Sequence, residues 1–127
     1  MSEKLSRIEW TGKAFGKNQR LGLSKYGGFY LQQGYRDFQT GLAWQMILVR
    51  CQDLQWPGPF LKDIEVWIDV WVHGRRDVDS LESAILDTMA IARLIDNDSH
   101  VVRTHCQKHS KKRGQEDRIV IEIRGNR

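Results

Sequence analysis

Two aspartates separated by one residue, directly after a pair of arginines, are the residues in this chain best suited to chemistry. They lie in the segment Arg75-Arg76-Asp77-Val78-Asp79. Carboxylates this close repel one another, and a hard divalent cation such as Mg²⁺ neutralises them with the oxygen ligands that it prefers. Guanidinium groups beside them match the oxygens of a phosphate two at a time. Together these side chains indicate metal-assisted chemistry on a phosphodiester.

The same aspartates also suit a structural role at the start of a helix. Asp79 would act as the N-cap, and Glu82, three residues later, would complete a capping box. The two roles are compatible, because a carboxylate has two oxygens with several lone pairs. The spacing of the aspartates alone leaves both roles open.

A longer pattern surrounds this pair. It comprises Arg76-Asp-Val-Asp-Ser-Leu81, an amphipathic stretch that ends in Ile85-Leu-Asp-Thr-Met89, and Leu94-Ile-Asp-Asn-Asp-Ser-His-Val101. This pattern resembles the core signature of the RusA family of Holliday junction resolvases. The resemblance is close over residues 73–102 and looser through the C-terminal strands and the basic N-terminal region.

The resemblance implies a small homodimeric endonuclease that depends on Mg²⁺, with Mn²⁺ as an alternative ion. Such an enzyme cuts four-way junctions in branched DNA with paired nicks, in recombination and repair. The resemblance also implies that Asp77, Asp79 and Asp98 are the catalytic, metal-binding residues. A bacterial cytoplasm is the implied location, whether the gene is cellular, prophage or phage.

One position departs from the family pattern. The family places a lysine four residues after the second aspartate, and this chain has Ser83 there. Serine can donate a hydrogen bond to a phosphate but brings no charge. Either another cation substitutes, with Lys13, Lys17 and Arg76 as candidates, or turnover is impaired. In the second case the chain would be a weakly catalytic protein that binds branched DNA.

The positive charge is concentrated in particular segments. The formal net charge is +4 and the isoelectric point about 9.3, while acidic residues gather between positions 63 and 98. Basic flanks around an acidic centre suit a protein that grips phosphates at its edges and holds metal in the middle. The predicted DNA-binding residues are Arg75, Arg76, Lys13, Lys17, Arg20, Lys111, Lys112 and Arg113.

Cysteine usage and hydropathy bear on location and metal type. Cys51 and Cys106 form no CxxC motif and no disulfide framework, which favours a reducing cytoplasm. No signal peptide or membrane-spanning run is evident, so no membrane association is predicted. A zinc site built from His105, Cys106 and His109 is disfavoured, because neighbouring residues of a strand point to opposite faces.

Hydrophobic periodicity predicts the elements that position these residues. Strands are expected at residues 4–10, 28–33 and 62–73, and helices at 35–51 and 79–93. Strands at 101–108 and 118–124 are predicted to pair as an antiparallel hairpin with a cationic tip. The order indicates one α+β domain over residues 1–127, with a small mixed sheet and helices largely on one face, as in the RusA family.

Two questions of assembly follow from these elements. A helix over residues 80–93 is about 20 Å long, which carries the chain away from Asp79 before Asp98 is reached. Asp98 could return along an extended segment, or it could meet the aspartate pair of a second subunit. Helix 35–51 is apolar on two sides, and strand 62–73 carries two tryptophans on its outer face. We therefore expect a homodimer.

Overall fold

The computed structural model describes residues 3–17, 21–23, 29–52, 61–73 and 77–125. The strands are β1 (Glu3–Gly12), β2 (Leu21–Leu23), β3 (Phe29–Leu31), β4 (Ile64–Val72), β5 (Val101–Ser110) and β6 (Asp117–Gly125). The helices are α1 (Gln33–Gln52) and α2 (Val78–Ile91), and a 3₁₀ turn (Asp98–His100) leads into β5. None of the described helices is long and apolar enough to cross a membrane.

Four strands form one mixed sheet in the order β1-β6-β4-β5. β4 pairs with β5 in parallel and with β6 antiparallel, and β6 also pairs antiparallel with β1. β2 and β3 form a separate two-stranded sheet. The predicted α+β class with a small mixed sheet is confirmed.

The predicted hairpin between the last two strands is wrong, because β4 lies between β5 and β6. β4 alternates fully buried and half-buried residues along its whole length, whereas β5 is partly exposed throughout. The strand with the most apolar side to bury therefore takes the interior position. Residues 111–116 pass over the end of β4, since a longer loop can span two strand spacings, about 10 Å, where a tight hairpin turn cannot.

Both helices pack on one face of the sheet. The inward residues of β4 share a core with the buried side of α1, represented by Phe38, Leu42 and Met46. α2 contributes Leu81, Ile85 and Met89 to the same core. This arrangement fixes the end of β4 next to the start of α2.

The other face of the sheet carries the two tryptophans of β4 among charged side chains. Trp67 stacks on His105 with ring centroids 3.7 Å apart, and Trp71 stacks on His109 at 4.6 Å. The guanidinium carbons of Arg124 and Arg118 lie 4.9 and 4.8 Å from the centroids of Trp67 and Trp71, respectively. The indole faces are thus covered within the chain. His105 lies on this face, whereas Cys106 packs against the core on the other.

Candidate functional site

Asp77 caps the helix that follows the central strand. Its backbone is extended (φ −73°, ψ 115°), and its Oδ1 accepts a hydrogen bond from the backbone N–H of Asp79 at 3.1 Å. The capping role predicted for Asp79 therefore belongs to Asp77, and Asp79 lies in the first turn of α2. The N-cap lies two residues earlier than predicted because the first residue of α2 is Val78. Both carboxylates are exposed at a helix N-terminus, where the helix dipole favours negative charge.

The charge of Asp79 contributes to the raised pKa values of two half-buried groups, Glu82 and Cys106. Burial, followed by the charge of Asp79, raises the pKa of Glu82 above its usual value. Burial, followed by the charges of Glu82, Asp69 and Asp79, raises the pKa of Cys106 to about 12. Glu82 was interpreted from the sequence only as a capping partner. Its spacing of three residues from Asp79 was the available sign that the two carboxylates would share one side of the helix.

Asp98 lies at the other end of the sheet from Asp77 and Asp79. Val101, the first residue of β5, is in register with Ile64, the first residue of β4, while Asp77 follows the far end of β4. Nine residues of strand span about 25 Å. The backbone N–H of Leu61, three residues before β4, donates to the carbonyl of Leu94 at 2.8 Å, so the segment between α2 and the 3₁₀ turn lies at the start of β4. Within one chain, the fold therefore separates Asp98 from the aspartate pair.

The side chain of Asp98 is not among those that the structure describes. Within the part of the chain that it describes, no three His, Cys, Asp or Glu side chains come together as a metal-binding group. Asp77 and Asp79 thus supply two exposed carboxylates. Among the described side chains of the same chain, no third metal-binding group joins them.

Lys17 reaches α2 from the N-terminal loop. Its Nζ lies 2.8 Å from Oδ2 of Asp87, with about a third of each side chain exposed. Asp79, Ser83 and Asp87 are spaced four residues apart and so lie along one side of the helix. The Lys17 ammonium is therefore held one turn beyond Ser83, on the side of α2 that begins at Asp79.

The three cations of the loop at residues 111–116 differ in their contacts. Lys111 is only 12% exposed in its side chain, and its Nζ lies 3.2 Å from Oδ1 of Asp117. It also donates a hydrogen bond to the carbonyl of Gln115. Lys112 and Arg113 are exposed. Lys111 is thus engaged in holding the loop, while its two neighbours face solvent.

The remaining predicted DNA-binding residues fall into two groups. Lys13 is exposed, with its Nζ 5.3 Å from the centroid of the Phe15 ring. Arg20, Arg75 and Arg76 lie outside the described residues.

A cleft of about 560 Å³ lies between the end of β4 and two loops, residues 13–17 and 111–116, which we call the two basic loops. Lys13 lines it from the N-terminal loop, Lys111 from the loop that crosses β4, and Asp117 from the start of β6. His73, four residues before Asp77, forms part of the same wall. An open groove lined by cations from two loops can accommodate a phosphate backbone.

Comparison with protein families gives a match over most of the chain. The family model described as "Endodeoxyribonuclease RusA" matches residues 12–124 of the 127 in the chain. No curated protein sequence matches the chain. The matched range includes both basic loops, all three aspartates and every strand of the main sheet except most of β1.

Proposed function

The chain belongs to the RusA endodeoxyribonuclease family, and on that basis we propose that it is a Mg²⁺-dependent endonuclease that resolves four-way DNA junctions by paired nicks. The observation that carries the proposal is the exposed pair Asp77 and Asp79 at the start of α2, in a chain that also carries exposed cations on two loops. Hydrolysis would proceed by in-line attack and leave a 5′-phosphate and a 3′-hydroxyl, the ends that ligation requires.

The donor atoms of the aspartate pair suit Mg²⁺. Asp77 uses one oxygen to accept the N–H of Asp79, which orients the carboxylate and leaves its second oxygen available. Asp79 lies two residues further, so two hard oxygen donors are available side by side. When bound, Mg²⁺ would supply positive charge at the attacked phosphate and lower the pKa of a water molecule.

The cations of this chain would hold the DNA. Lys112, Arg113 and Lys13 are exposed on the two loops, so they can contact phosphates without first breaking an ion pair of the described structure. Such contacts fix the register of the backbone but carry no base sequence. Recognition of the junction would thus depend on the shape of the DNA.

We infer that the third carboxylate comes from a second copy of the chain. Asp77 and Asp98 lie at opposite ends of β4, so a two-fold axis perpendicular to that strand would bring Asp98 of the partner subunit towards Asp77 and Asp79. The reciprocal contact would form a second site at the other end. Two sites related by a two-fold axis suit the two strands that must be nicked in a four-way junction.

The surface of the helices supports a homodimer. Trp44, Leu48 and Ile91 are exposed by 61%, 47% and 58%. Trp44 and Ile91 line one shallow depression between α1 and α2. Large apolar side chains grouped in this way are typical of an interaction surface. Light scattering at micromolar concentration should show a dimer, and a monomer there would contradict both the shared site and the paired nicks.

Ser83 favours one alternative function, a protein that binds branched DNA and cuts it weakly. The alternative requires that no cation acts beside Asp79. The ion pair of Lys17 with Asp87 holds an ammonium group on the same side of α2, two turns from Asp79, and so supplies a candidate cation for an active enzyme.

The function is tested with a synthetic four-way junction and a linear duplex of matched sequence, each with and without Mg²⁺. We expect symmetric, ligatable nicks in the junction only when Mg²⁺ is present, and little cutting of the duplex. Junction binding without cleavage in Mg²⁺ or Mn²⁺ would support the binding protein instead.

A further inference from the structure

Asp117 connects the two basic loops. It is the first residue of β6 and only 5% exposed. Its Oδ2 accepts a hydrogen bond from the backbone N–H of Ala14 at 2.8 Å, and its Oδ1 lies 3.2 Å from the Lys111 ammonium. One buried carboxylate thus contacts residues that are 97 positions apart in the sequence, Ala14 and Lys111.

Each loop has a further attachment. Phe15 packs so closely on α1 that a Cβ at Gly34 would lie 2.5 Å from its Cζ. Lys111 donates to the carbonyl of Gln115 within its own loop. The exposed cations Lys13, Lys112 and Arg113 are therefore carried on segments whose bases are fixed to one another through Asp117.

We propose that Asp117 is a positioning residue that sets the spacing of the two basic loops and thereby the preference for branched over linear DNA. The inference rests on the proposed junction-cleaving function. It assigns to Asp117 no contact with DNA or metal.

The physical reason is preorganisation. Two groups of cations at a fixed separation match only DNA whose phosphates have that separation, and no ordering cost is incurred on binding. If the loops move independently, they can still contact the phosphates of any duplex. Removal of the Asp117 carboxylate should therefore weaken junction binding more than duplex binding.

The test measures affinity for a four-way junction and a matched duplex with the full chain in EDTA, well below the unfolding temperature of each variant. Asp117→Ala removes both interactions of the carboxylate, and we expect the ratio of junction to duplex affinity to fall about five- to tenfold. The matched control is Lys112→Met, which removes a neighbouring exposed charge. It should weaken binding to both DNAs about equally.

A second variant separates positioning from charge and guards against a folding defect. In the double variant Asp117→Asn with Lys111→Gln, an amide pair replaces the ion pair, and Asn Oδ1 can still accept the Ala14 N–H. This variant should recover most of the junction preference. Hydrogen exchange of the Ala14 amide should be about tenfold faster in Asp117→Ala and close to the wild-type rate in the amide pair.

The outcomes distinguish the two proposals. A wild-type protein without junction preference overturns the proposed function and this inference with it. A wild-type preference that persists in Asp117→Ala, despite faster exchange at Ala14, overturns the inference alone. An amide pair that protects Ala14 without recovering the preference also overturns it, because the loops would then be fixed without effect.

Discussion

The ammonium group of Lys17 lies 2.8 Å from the carboxylate of Asp87, although the two residues are 70 positions apart in the chain. The contact brings a cation of the N-terminal loop to the side of α2 that also carries Asp79 and Ser83. The family pattern has a lysine where this chain has Ser83, so the ion pair identifies Lys17 as the candidate to replace it.

Substitution of Lys17 tests that replacement. We expect Lys17→Met to slow junction cleavage about tenfold or more, because the variant lacks a charge that assists the reacting phosphate. Stability should change by less than about 1 kcal/mol, since exposed ion pairs contribute little. Single-turnover cleavage and urea unfolding measure the two effects.

Ser83→Lys should have little effect in the wild type and should restore cleavage in Lys17→Met. Equal cleavage by Lys17→Met and wild type would exclude Lys17 from the role.

Subunit mixing tests whether Asp98 acts across the dimer. Asp79→Asn and Asp98→Asn should each be inactive, yet dimers that contain one copy of each should nick the junction. One site of that dimer then has all three wild-type carboxylates, and the other retains only Asp77. Only single nicks are expected. Mixing Asp79→Asn with Asp77→Asn is the matched control and should restore nothing. No recovery in the first mixture would place Asp98 outside a shared site.

Salt dependence tests the basic loop. Junction affinity should fall steeply with salt, because each phosphate that the protein neutralises releases counterions. In the double variant Lys112→Ala with Arg113→Ala, the slope of log affinity against log salt should become shallower by about one for each phosphate that is no longer neutralised. Lys111→Met should change the slope less, since Lys111 is paired with Asp117. An unchanged slope in the double variant would show that the loop does not contact DNA.

Alkylation tests the environment of Cys106. Its pKa is raised to about 12 from an ordinary value of 9.0, so its thiolate fraction near pH 8 should be about a thousandfold lower than that of an unperturbed thiol. Exposed Cys51 provides an internal control. With iodoacetamide at pH 8, mass spectrometry should find Cys51 modified and Cys106 unmodified until the protein is unfolded. Equal rates at both cysteines would contradict the half-buried, negatively charged setting of Cys106.

Segments with a regular hydrophobic pattern made much of the fold predictable. The alternation over β4 predicted a strand with one buried face, and the apolar stripes of α1 and α2 predicted helices within two residues of their observed ends. β2 was not predicted, because three residues are too few to show alternation. The pairing of β5 was predicted wrongly. Periodicity identifies a strand, whereas the pairing of that strand depends on which strand has the most apolar surface to bury.

The candidate site was less predictable, because its arrangement depends on contacts between distant residues. The sequence indicated Asp77, Asp79 and Asp98 as a set and left open whether Asp98 returns to the pair or meets that of a second subunit. The strand register decides the position within one chain, because it places Asp98 at the opposite end of β4 from the pair. The sequence also grouped Lys111 with Lys112 and Arg113. The buried carboxylate of Asp117 separates Lys111 from that group, and nothing in the local sequence indicates such a contact.

The most direct test of the proposed chemistry is cleavage of a four-way junction by Asp79→Asn. We expect Mg²⁺-dependent cleavage to fall about 100-fold or more, as for removal of a group that stabilises transition-state charge. Junction binding in EDTA should persist or tighten, because a negative charge near the phosphates is removed. Asp37→Asn, at an exposed position on α1, is the matched control and should cut at the wild-type rate. Undiminished cutting by Asp79→Asn would contradict the proposal that this carboxylate holds the metal.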